Sequence, residues 1–366
     1  MQPDFLYDIA LTLVPSIGPV QARILLEYFN TAENIFKAPK SKLSLIEGIG
    51  EIRAKAIKQF EDFTIAEKQI AFCEKYNIQI LSSKDATRYP QKLLQCYDAP
   101  TILYFSGNCL LNGRKTISII GTRNNSDYGK QITHDLIEQL KDEEILVISG
   151  LAYGIDTIAH KAAVLQQLPT VGVLAHGLDS IYPAQNKQLA KEMLQNGGLL
   201  TEFIEGTPPD KFNFPKRNRI VAGMADATIV IETPIKGGSM ITAELANNYN
   251  KDVFAFPGKT SDTKSAGCNY LIKRNKAQLI TSANDIIESM GWQKKPLKKQ
   301  VARTLFITLT TDEETIIQLL QSKDAMSIDE INVRSGLTSS SIAAALLNLE
   351  LQNIIQSQPG KMYKYL

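Results

Sequence analysis

Short apolar runs alternate with helical patterns through the middle of the chain. The run from Ile117 to Ile120 ends at Gly121, and the run from Ile145 to Ile148 ends at Ser149-Gly150. Between them, apolar residues recur every three or four positions, as on one face of a helix. Strands that alternate with helices predict a parallel, doubly wound α/β sheet. In such a fold, ligands bind where the strands end.

Each of these two runs leads through a glycine-containing turn into a helix, at residues 121–125 and 149–156. Such turns let backbone N–H groups approach an anion, and the helix N-terminus adds partial positive charge. We therefore expect an anion site here. Ordinary βα turns are the alternative, because neither turn is a G-x-G-x-x-G fingerprint. Asp156 directly follows the second turn and is expected to cap the helix or orient the loop.

The first 70 residues contain an internal repeat with an offset of 32 residues. Residues 14–18, followed by Ala22 and Leu25, match residues 46–50, followed by Ala54 and Ile57. Each copy is predicted to form a helix, a tight glycine turn and a second helix, and so resembles a helix-hairpin-helix motif. The turns can bind a DNA phosphate, or the pair can serve only as a packing module.

Composition shifts divide the chain further. We expect a helical domain of helix-hairpin-helix (SAM-like) type over 1–70, an α/β domain over 75–290, a basic linker over 291–311 and a winged-helix domain over 312–366. The predicted third helix of the last domain, Ser339 to Leu351, contains no Lys or Arg. Because a DNA-reading helix needs basic residues, we favour a protein-interaction or dimer-stabilising role over transcriptional regulation by duplex binding.

Overall composition narrows the class of protein. The 366 residues are 44% hydrophobic and 21% charged, which is typical of a soluble globular protein. No apolar run has membrane-spanning length and the N-terminus lacks a signal pattern, so a cytoplasmic protein with no membrane partner is expected. The four cysteines form no C-x-x-C pair and the three histidines show no metal or catalytic spacing. No metal, cofactor or catalytic residue is therefore predicted.

The segment between Asp210 and Asp226 holds four basic residues and no acid. Two of them, Arg217 and Arg219, follow Pro215 at a predicted helix start. A helix directs such neighbours to different faces, but near its N-terminus both can reach one ligand. Guanidinium groups bind phosphate with paired hydrogen bonds. We therefore favour nucleic-acid binding over a solvated basic face, and expect Arg217 to bind phosphate without stabilising the fold.

Five motifs in this order resemble the DprA/Smf DNA-processing family: Gly121-Thr122-Arg123, Ser149 to Asp156, Tyr182-Pro183 with Asn186-Lys187, Phe214 to Ile220, and Lys236-Gly237-Gly238-Ser239. The resemblance implies an extended Rossmann-like domain that works as a homodimer and has no enzymatic activity. It implies a protein that binds incoming single-stranded DNA in natural transformation, protects the strand and loads the RecA recombinase onto it.

The resemblance also implies which residues meet DNA. By motif match, side chains at four positions take phosphate-binding roles: Arg123, Lys187, Arg217 and Arg219. Backbone groups of Ser149, Gly150 and Gly154 line the pocket, and the predicted phosphate-binding set is completed by Asn218, Gly237, Gly238 and Ser239. Nothing in this set selects a base, so sequence preference is expected to be weak.

An enzyme is the main alternative function. Phosphoribohydrolases of related fold carry a P-G-G-x-G-T-x-x-E loop, and residues 236–244 share its paired glycines and later glutamate. Ser239 stands at the third glycine, however, and Pro234 is displaced from the loop start. Glu244 would have to be the catalytic carboxylate. We favour a helix-capping serine and a surface glutamate.

Overall fold

The computed structural model describes residues 5–293, 309–323, 325–352 and 354–365. It divides into two compact units, Met1–Trp292 and Gln293–Leu366. Each unit contains a hydrophobic core of its own. Most of the predicted basic linker falls on residues 294–308, which lie outside the described residues. None of the helices within the described ranges combines the length and the apolar character needed to cross a membrane.

The first unit begins with six helices: α1 (Leu6–Leu13), α2 (Pro19–Phe29), α3 (Ala32–Lys37), α4 (Lys40–Ser44), α5 (Gly50–Lys58) and α6 (Thr64–Lys75). The predicted repeat is present, since equivalent turns join α1 to α2 and α4 to α5. Ser16 and Gly48, which are 32 residues apart, both have positive φ angles, of 64° and 81°. Apolar residues of both copies share one core, so the two hairpins pack as a pair.

The helical segment packs against one end of the following sheet. Apolar residues of α1 and α6 form a common core with Ile80, Ile102 and Tyr104. The Gln69 side chain of α6 accepts a hydrogen bond from the Glu205 backbone N–H at 2.7 Å. These contacts join the helices and the sheet into the same compact unit.

The sheet has nine strands: β1 (Gln79–Ser82), β2 (Ile102–Gly107), β3 (Lys115–Ile120), β4 (Ile145–Ser149), β5 (Thr170–Val173), β6 (Gly197–Thr201), β7 (Ala227–Val230), β8 (Asp252–Ala255) and β9 (Gln278–Leu279). Their order is β1-β2-β6-β5-β4-β3-β7-β8-β9. Strands β3 to β9 pair in parallel, as predicted, whereas β1–β2 and β2–β6 pair antiparallel. The connection from β1 to β2 contains one short helix, Gln91–Leu94, instead of the long crossover helix that usually joins parallel strands.

The helices of this part of the chain are α7 (Gln91–Leu94), α8 (Asp127–Gln139), α9 (Ile155–Leu165), α10 (Lys187–Met193), α11 (Asn213–Met224), α12 (Gly238–Asn248), α13 (Ala266–Lys273) and α14 (Ala283–Ser289). They cover both faces of the sheet. Within β4, Leu146 and Ile148 point into one core, while Ile145 and Val147 point into the other. Burial of both faces explains why the strands are continuous apolar runs.

Strand order reverses next to β3. The chain passes from β3 through β4 and β5 to β6 on one side, and β7 then returns to pair with the other side of β3. In open α/β sheets, a crevice forms at such a switch point, outside the carboxyl ends of the strands. The loops after β3, β4 and β7 meet at this place.

The second unit contains α15 (Thr311–Gln321), β10 (Met326–Ser327), α16 (Ile328–Ser335), α17 (Ser339–Leu351), β11 (Ile355–Gln358) and β12 (Met362–Tyr365). Its strands form a three-stranded sheet in the order β10-β12-β11. The helices and the terminal hairpin share one core, as predicted for a winged helix. Helix α17 contains no Lys or Arg and exposes Leu347 and Leu351.

Candidate nucleic-acid interface

A cleft of about 530 Å³ opens at the switch point of the sheet. Its walls come from the loop after β3, the loop after β4, the first turns of α11 and the loop that leads into α12. Of the predicted phosphate-binding residues, the cleft brings together Arg123, Gly150, Arg217, Asn218, Gly237, Gly238 and Ser239. Ser149, Gly154, Lys187 and Arg219 are not among its lining residues.

The loop after β4 is shaped by Asp156. Its carboxylate accepts hydrogen bonds from the backbone N–H groups of Gly150 at 3.1 Å and Ala152 at 3.4 Å. This confirms the expectation that Asp156 orients the loop. The N–H of Gly150 is therefore already bonded, and Gly150 serves the cleft through its missing side chain, because a Cβ would collide with the Arg217 guanidinium.

Ser149 and Gly154 support this loop from below. The Ser149 hydroxyl is fully buried and donates to the Ile119 carbonyl at 2.6 Å. Gly154 has a φ of 77° and lies so close to Thr122 and Arg123 that a Cβ would collide with their backbone. A glycine is needed here for both reasons. The two residues shape the site without lining the cleft.

Arg217 lies at the floor of the cleft and is only 4% exposed. Its guanidinium donates to the carbonyl oxygens of Gly150 and Val173. Burial lowers the pKa of Arg217 to about 10, the nearby Asp156 opposes this shift, and the positive charge of Arg123 adds to it. Arg217 is thus protonated at neutral pH and also holds the loop after β4. The expectation that it does not stabilise the fold is corrected, since its partners come from distant segments.

Arg123 faces the same cleft from the loop after β3. Its guanidinium lies 5.3 Å from the centroid of the Phe214 ring, and that of Arg217 lies 6.0 Å from the same ring. Arg123 is exposed, and within the described ranges its guanidinium forms no hydrogen bond or ion pair. Phe214 therefore separates two guanidinium groups that both remain close to the open cleft.

Arg219 occupies a different place. It is 8% exposed and forms a buried ion pair with Glu202, while its other nitrogens donate to the carbonyls of Asp98 and Lys216. Burial raises the pKa of Glu202, and Arg219 opposes this shift. The helix thus sends Arg217 and Arg219 to separate faces, and they do not reach one ligand in this structure. This geometry favours a structural role for Arg219.

Lys187 lies at the start of α10, is exposed, and does not line the cleft. The preceding residue ties this region to the loop after β4, because the Asn186 amide donates to the Leu151 carbonyl at 2.9 Å and to Thr157 at 2.8 Å. His176 supports the same region by accepting from the Tyr182 N–H at 3.3 Å. Burial lowers the pKa of His176, so the ring is neutral near pH 7.

The paired glycines form the opposite wall of the cleft. Gly237 is the N-cap of α12, and the Ser239 hydroxyl donates to the Thr233 hydroxyl at 2.7 Å, so the expected helix-capping serine is corrected. Glu244 lies further along this helix, is exposed, and pairs with Lys276 at 2.7 Å. It does not line the cleft. The carboxylate that the enzyme alternative requires is therefore a surface residue outside the site.

The charges that line the cleft are unbalanced. They are Arg123, Lys211 and Arg217 against the single carboxylate of Asp156. In the described part of the chain, no cluster of three or more histidine, cysteine or acidic side chains is arranged to hold a metal ion. An excess of positive charge beside glycine turns and a helix N-terminus is the chemistry of an anion site.

Three family models match consecutive parts of the chain. The family described as DNA recombination-mediator protein A matches residues 79–291, and the DprA winged helix domain matches residues 303–361. A SAM-like helix-hairpin-helix tandem matches residues 8–60. The first match alone spans more than half of the chain. This chain belongs to the DprA/Smf family.

Relatives agree with the family match. Protein Smf of Synechocystis is 32% identical over 397 aligned residues, which cover 98% of each chain. The crystal structure of DprA from Streptococcus pneumoniae superposes with a TM-score of 0.68 at 32% identity and covers 77% of this chain and 97% of that one. DprA from Helicobacter pylori, whose structure concerns its single-stranded DNA binding mode, gives a TM-score of 0.53 at 32% identity, covering 58% of this chain and 95% of that one.

Sequence reasoning missed one residue of this site. Glu232 ends the apolar run of β7 and is fully buried, with its carboxylate bonded to the loop after β3. An acidic residue directly after a buried strand was the available signal. The loop that Glu232 contacts could not be deduced from the sequence, because the contact depends on the pairing of β7 with β3.

Proposed function

We propose that this chain binds single-stranded DNA along the cleft. The observation that carries the proposal is the pair of guanidinium groups, Arg123 and Arg217, that face one cleft with a single carboxylate among its lining charges. A phosphodiester supplies the missing negative charge, and guanidinium groups bind its oxygens with strong, charge-assisted hydrogen bonds. The single-stranded DNA binding mode of the Helicobacter pylori relative supports the same ligand.

The shape of the site favours a single strand over a duplex. Arg217 is buried, so a phosphate reaches it only by entering the cleft. A flexible strand can bend its backbone inward, whereas a duplex has to be deformed to do so. Lys187 is exposed at the start of α10, and we propose that it binds a further phosphate. Because the cleft offers guanidinium groups and backbone, binding should depend little on base sequence.

We propose further that the bound strand is incoming DNA in natural transformation, and that the protein acts in the cytoplasm to protect it and to load RecA. The family description as a recombination mediator supports this role. We also propose that the chain comprises a helical domain over 1–70, an α/β domain over 75–290 and a winged-helix domain over 312–366. The proposal also includes a homodimer formed through the α/β domain after Ser239, where β9 lies at the edge of the sheet and Leu279 is 47% exposed.

Strand binding is tested by titrating the full chain with labelled single-stranded and duplex oligonucleotides of equal length at several salt concentrations. We expect tighter binding to the single strand. The logarithm of its association constant should fall by about 0.7 for each contacted phosphate when the salt concentration rises tenfold. Equal affinity for both forms at every salt concentration would contradict the proposal.

RecA loading and pairing need separate measurements. RecA filaments should assemble faster on a strand already covered by a single-stranded-DNA-binding protein when this chain is added. An unchanged assembly rate would remove RecA loading from the proposal and leave strand binding intact. Light scattering of the full chain should give twice the monomer mass, and a monomer at micromolar concentration would contradict the homodimer.

A further inference from the structure

Glu232 is a buried carboxylate behind the cleft. It lies two residues after the end of β7 and is 0% exposed, so it cannot touch a bound strand. A buried carboxylate is costly unless hydrogen bonds compensate it. Its surroundings show what those bonds hold in place.

The Glu232 side chain binds the far end of the loop that carries Arg123. One carboxylate oxygen accepts from the Ser126 backbone N–H at 2.8 Å, and the other accepts from the Ser126 hydroxyl. Ser126 is the N-cap of α8 and also accepts from the Gly129 N–H at 3.0 Å. The carboxylate thus lies at the positive end of a helix dipole, where a negative charge is stabilised.

The Glu232 backbone binds the near end of the same loop. Its carbonyl oxygen accepts from the Thr122 N–H at 2.7 Å. The other side of the loop is closed by the Ile155 N–H, which donates to the Thr122 carbonyl at 3.2 Å, and by Gly154. One residue therefore holds both ends of the segment 122–126, and Arg123 lies between them.

Space around the carboxylate is reserved for this contact. A Cβ at position 129 would collide with the Glu232 carboxylate, so only glycine fits on that first turn of α8. Arg123 itself has no such support, since the ring of Phe214 is its observed side-chain neighbour at 5.3 Å. The direction of the guanidinium consequently depends on the loop backbone, and the loop backbone depends on Glu232.

We propose that Glu232 is a positioning residue for strand binding, which sets the place of Arg123 in the cleft by holding both ends of segment 122–126. The inference rests on the proposed function, because it assigns Arg123 a phosphate. It differs from a general stabilising role in one respect: the effect of Glu232 on affinity passes through Arg123.

A double-mutant cycle on the full chain tests this route. The variants are Glu232→Gln, Arg123→Ala and the two combined, each titrated with a labelled single-stranded oligonucleotide at several salt concentrations. Glutamine offers one acceptor oxygen to Ser126 where glutamate offers two. We expect Glu232→Gln to weaken binding about tenfold, and Arg123→Ala to add less than about threefold on that background, because coupled residues are not additive. The salt slope should fall by about 0.7 in either single variant.

Thr228→Val is the matched control. Thr228 lies in β7, four residues before Glu232, and is buried, and its hydroxyl accepts from the Ser118 hydroxyl at 2.8 Å. Loss of this hydroxyl should lower the melting temperature and leave the affinity for single-stranded DNA and its salt slope unchanged. If Glu232→Gln does not fold, Ser126→Ala replaces it in the cycle, because it removes the hydroxyl that the carboxylate holds.

The outcomes separate the two proposals. If Arg123→Ala weakens binding and Glu232→Gln does not, or if their effects multiply, Glu232 does not act through Arg123 and the inference is overturned while the proposed function stands. If Arg123→Ala binds as tightly as the unaltered chain, the cleft is not the strand site and both fail. A change of slope with Thr228→Val would also overturn the inference, since any buried lesion would then produce it.

Discussion

Arg217 and Arg219 are two residues apart in one helix, are both buried, and have opposite surroundings. Arg219 ends in a closed network in which each guanidinium nitrogen has an acceptor and one partner is the carboxylate of Glu202. Arg217 donates to two neutral carbonyl oxygens and faces a cleft that contains another arginine. On one side of α11 the charge of Arg219 is balanced by a carboxylate, whereas on the other side Arg217 adds to an excess of positive charge.

The difference shows which arginine is free to meet a ligand. Arg219 is neutralised by the Glu202 carboxylate, whereas the hydrogen-bond acceptors of Arg217 in the described part of the chain are all neutral. On the Arg217 side, three cations and one carboxylate line the cleft, and bound phosphates would offset the excess positive charge. Residue type and spacing are equal for the two positions, so only the partners distinguish binding from support.

The largest expected effect belongs to Arg217→Ala. It leaves two buried carbonyl oxygens without their donor and removes a positive charge near Asp156, so the free energy of unfolding should drop by about 3–5 kcal/mol. Thermal and denaturant unfolding measure the loss. The fraction that remains folded should also bind single-stranded DNA more weakly. Arg217→Lys is the control that keeps the positive charge. If Arg217→Ala is as stable as the unaltered chain, the contacts with the two carbonyls do not stabilise the fold.

Arg219→Ala should destabilise the chain by about 3 kcal/mol, since it breaks a buried ion pair and leaves Glu202 without its cation. Strand affinity and salt slope of the folded protein should stay unchanged. Burial already raises the pKa of Glu202, and loss of Arg219 should raise it further. The folded variant then holds a proton more tightly than the unfolded chain, so its stability deficit should shrink as the pH falls through that raised pKa.

The paired variant Glu202→Leu with Arg219→Met is the control for this interpretation. Replacing a buried ion pair by apolar side chains of similar size is often neutral or stabilising. The paired variant should therefore recover most of the stability that Arg219→Ala loses, without pH dependence at this site. A weaker salt slope of strand binding in either Arg219 variant would instead assign Arg219 a phosphate.

Arg123→Ala should act on binding alone. Because Arg123 is exposed, its loss should leave the melting temperature unchanged while strand binding weakens by about 1–3 kcal/mol. Arg114→Ala is the matched control. Arg114 is also exposed, but it precedes the first residue of β3, whereas Arg123 follows the last. Equal losses from both variants, measured by fluorescence anisotropy, would mean that general basic charge rather than the cleft attracts the strand.

Glu244→Ala should have the smallest effect. It removes one exposed ion pair with Lys276, and such pairs contribute at most about 1 kcal/mol. Affinity for single-stranded DNA should not change. Purified chain incubated with nucleoside monophosphates should release no free base, with or without Glu244. Release that depends on Glu244 would revive the phosphoribohydrolase alternative and place chemistry outside the cleft described above.

Periodic patterns were sufficient for most of the fold. The apolar runs before Gly121 and before Ser149-Gly150 predicted buried parallel strands, and the 32-residue repeat predicted the paired hairpins. Both are local signals, because backbone and burial preferences depend on each residue and its near neighbours in the sequence. The antiparallel pairing of β1 and β2 was missed, since strand direction depends on how the chain returns over a distance that no local pattern records.

The site divides along the same line. The glycine turns and the basic run 216–219 could be recognised from the chain alone, because small residues and unbalanced charge are local properties. The partners of those charges could not. Asp156 lies 61 positions before Arg217, Glu202 lies 17 before Arg219, and Glu232 meets Ser126 across 106 positions. Electrostatic and hydrogen-bond partners are set by distance in space, and only the folded sheet brings these distant residues close together.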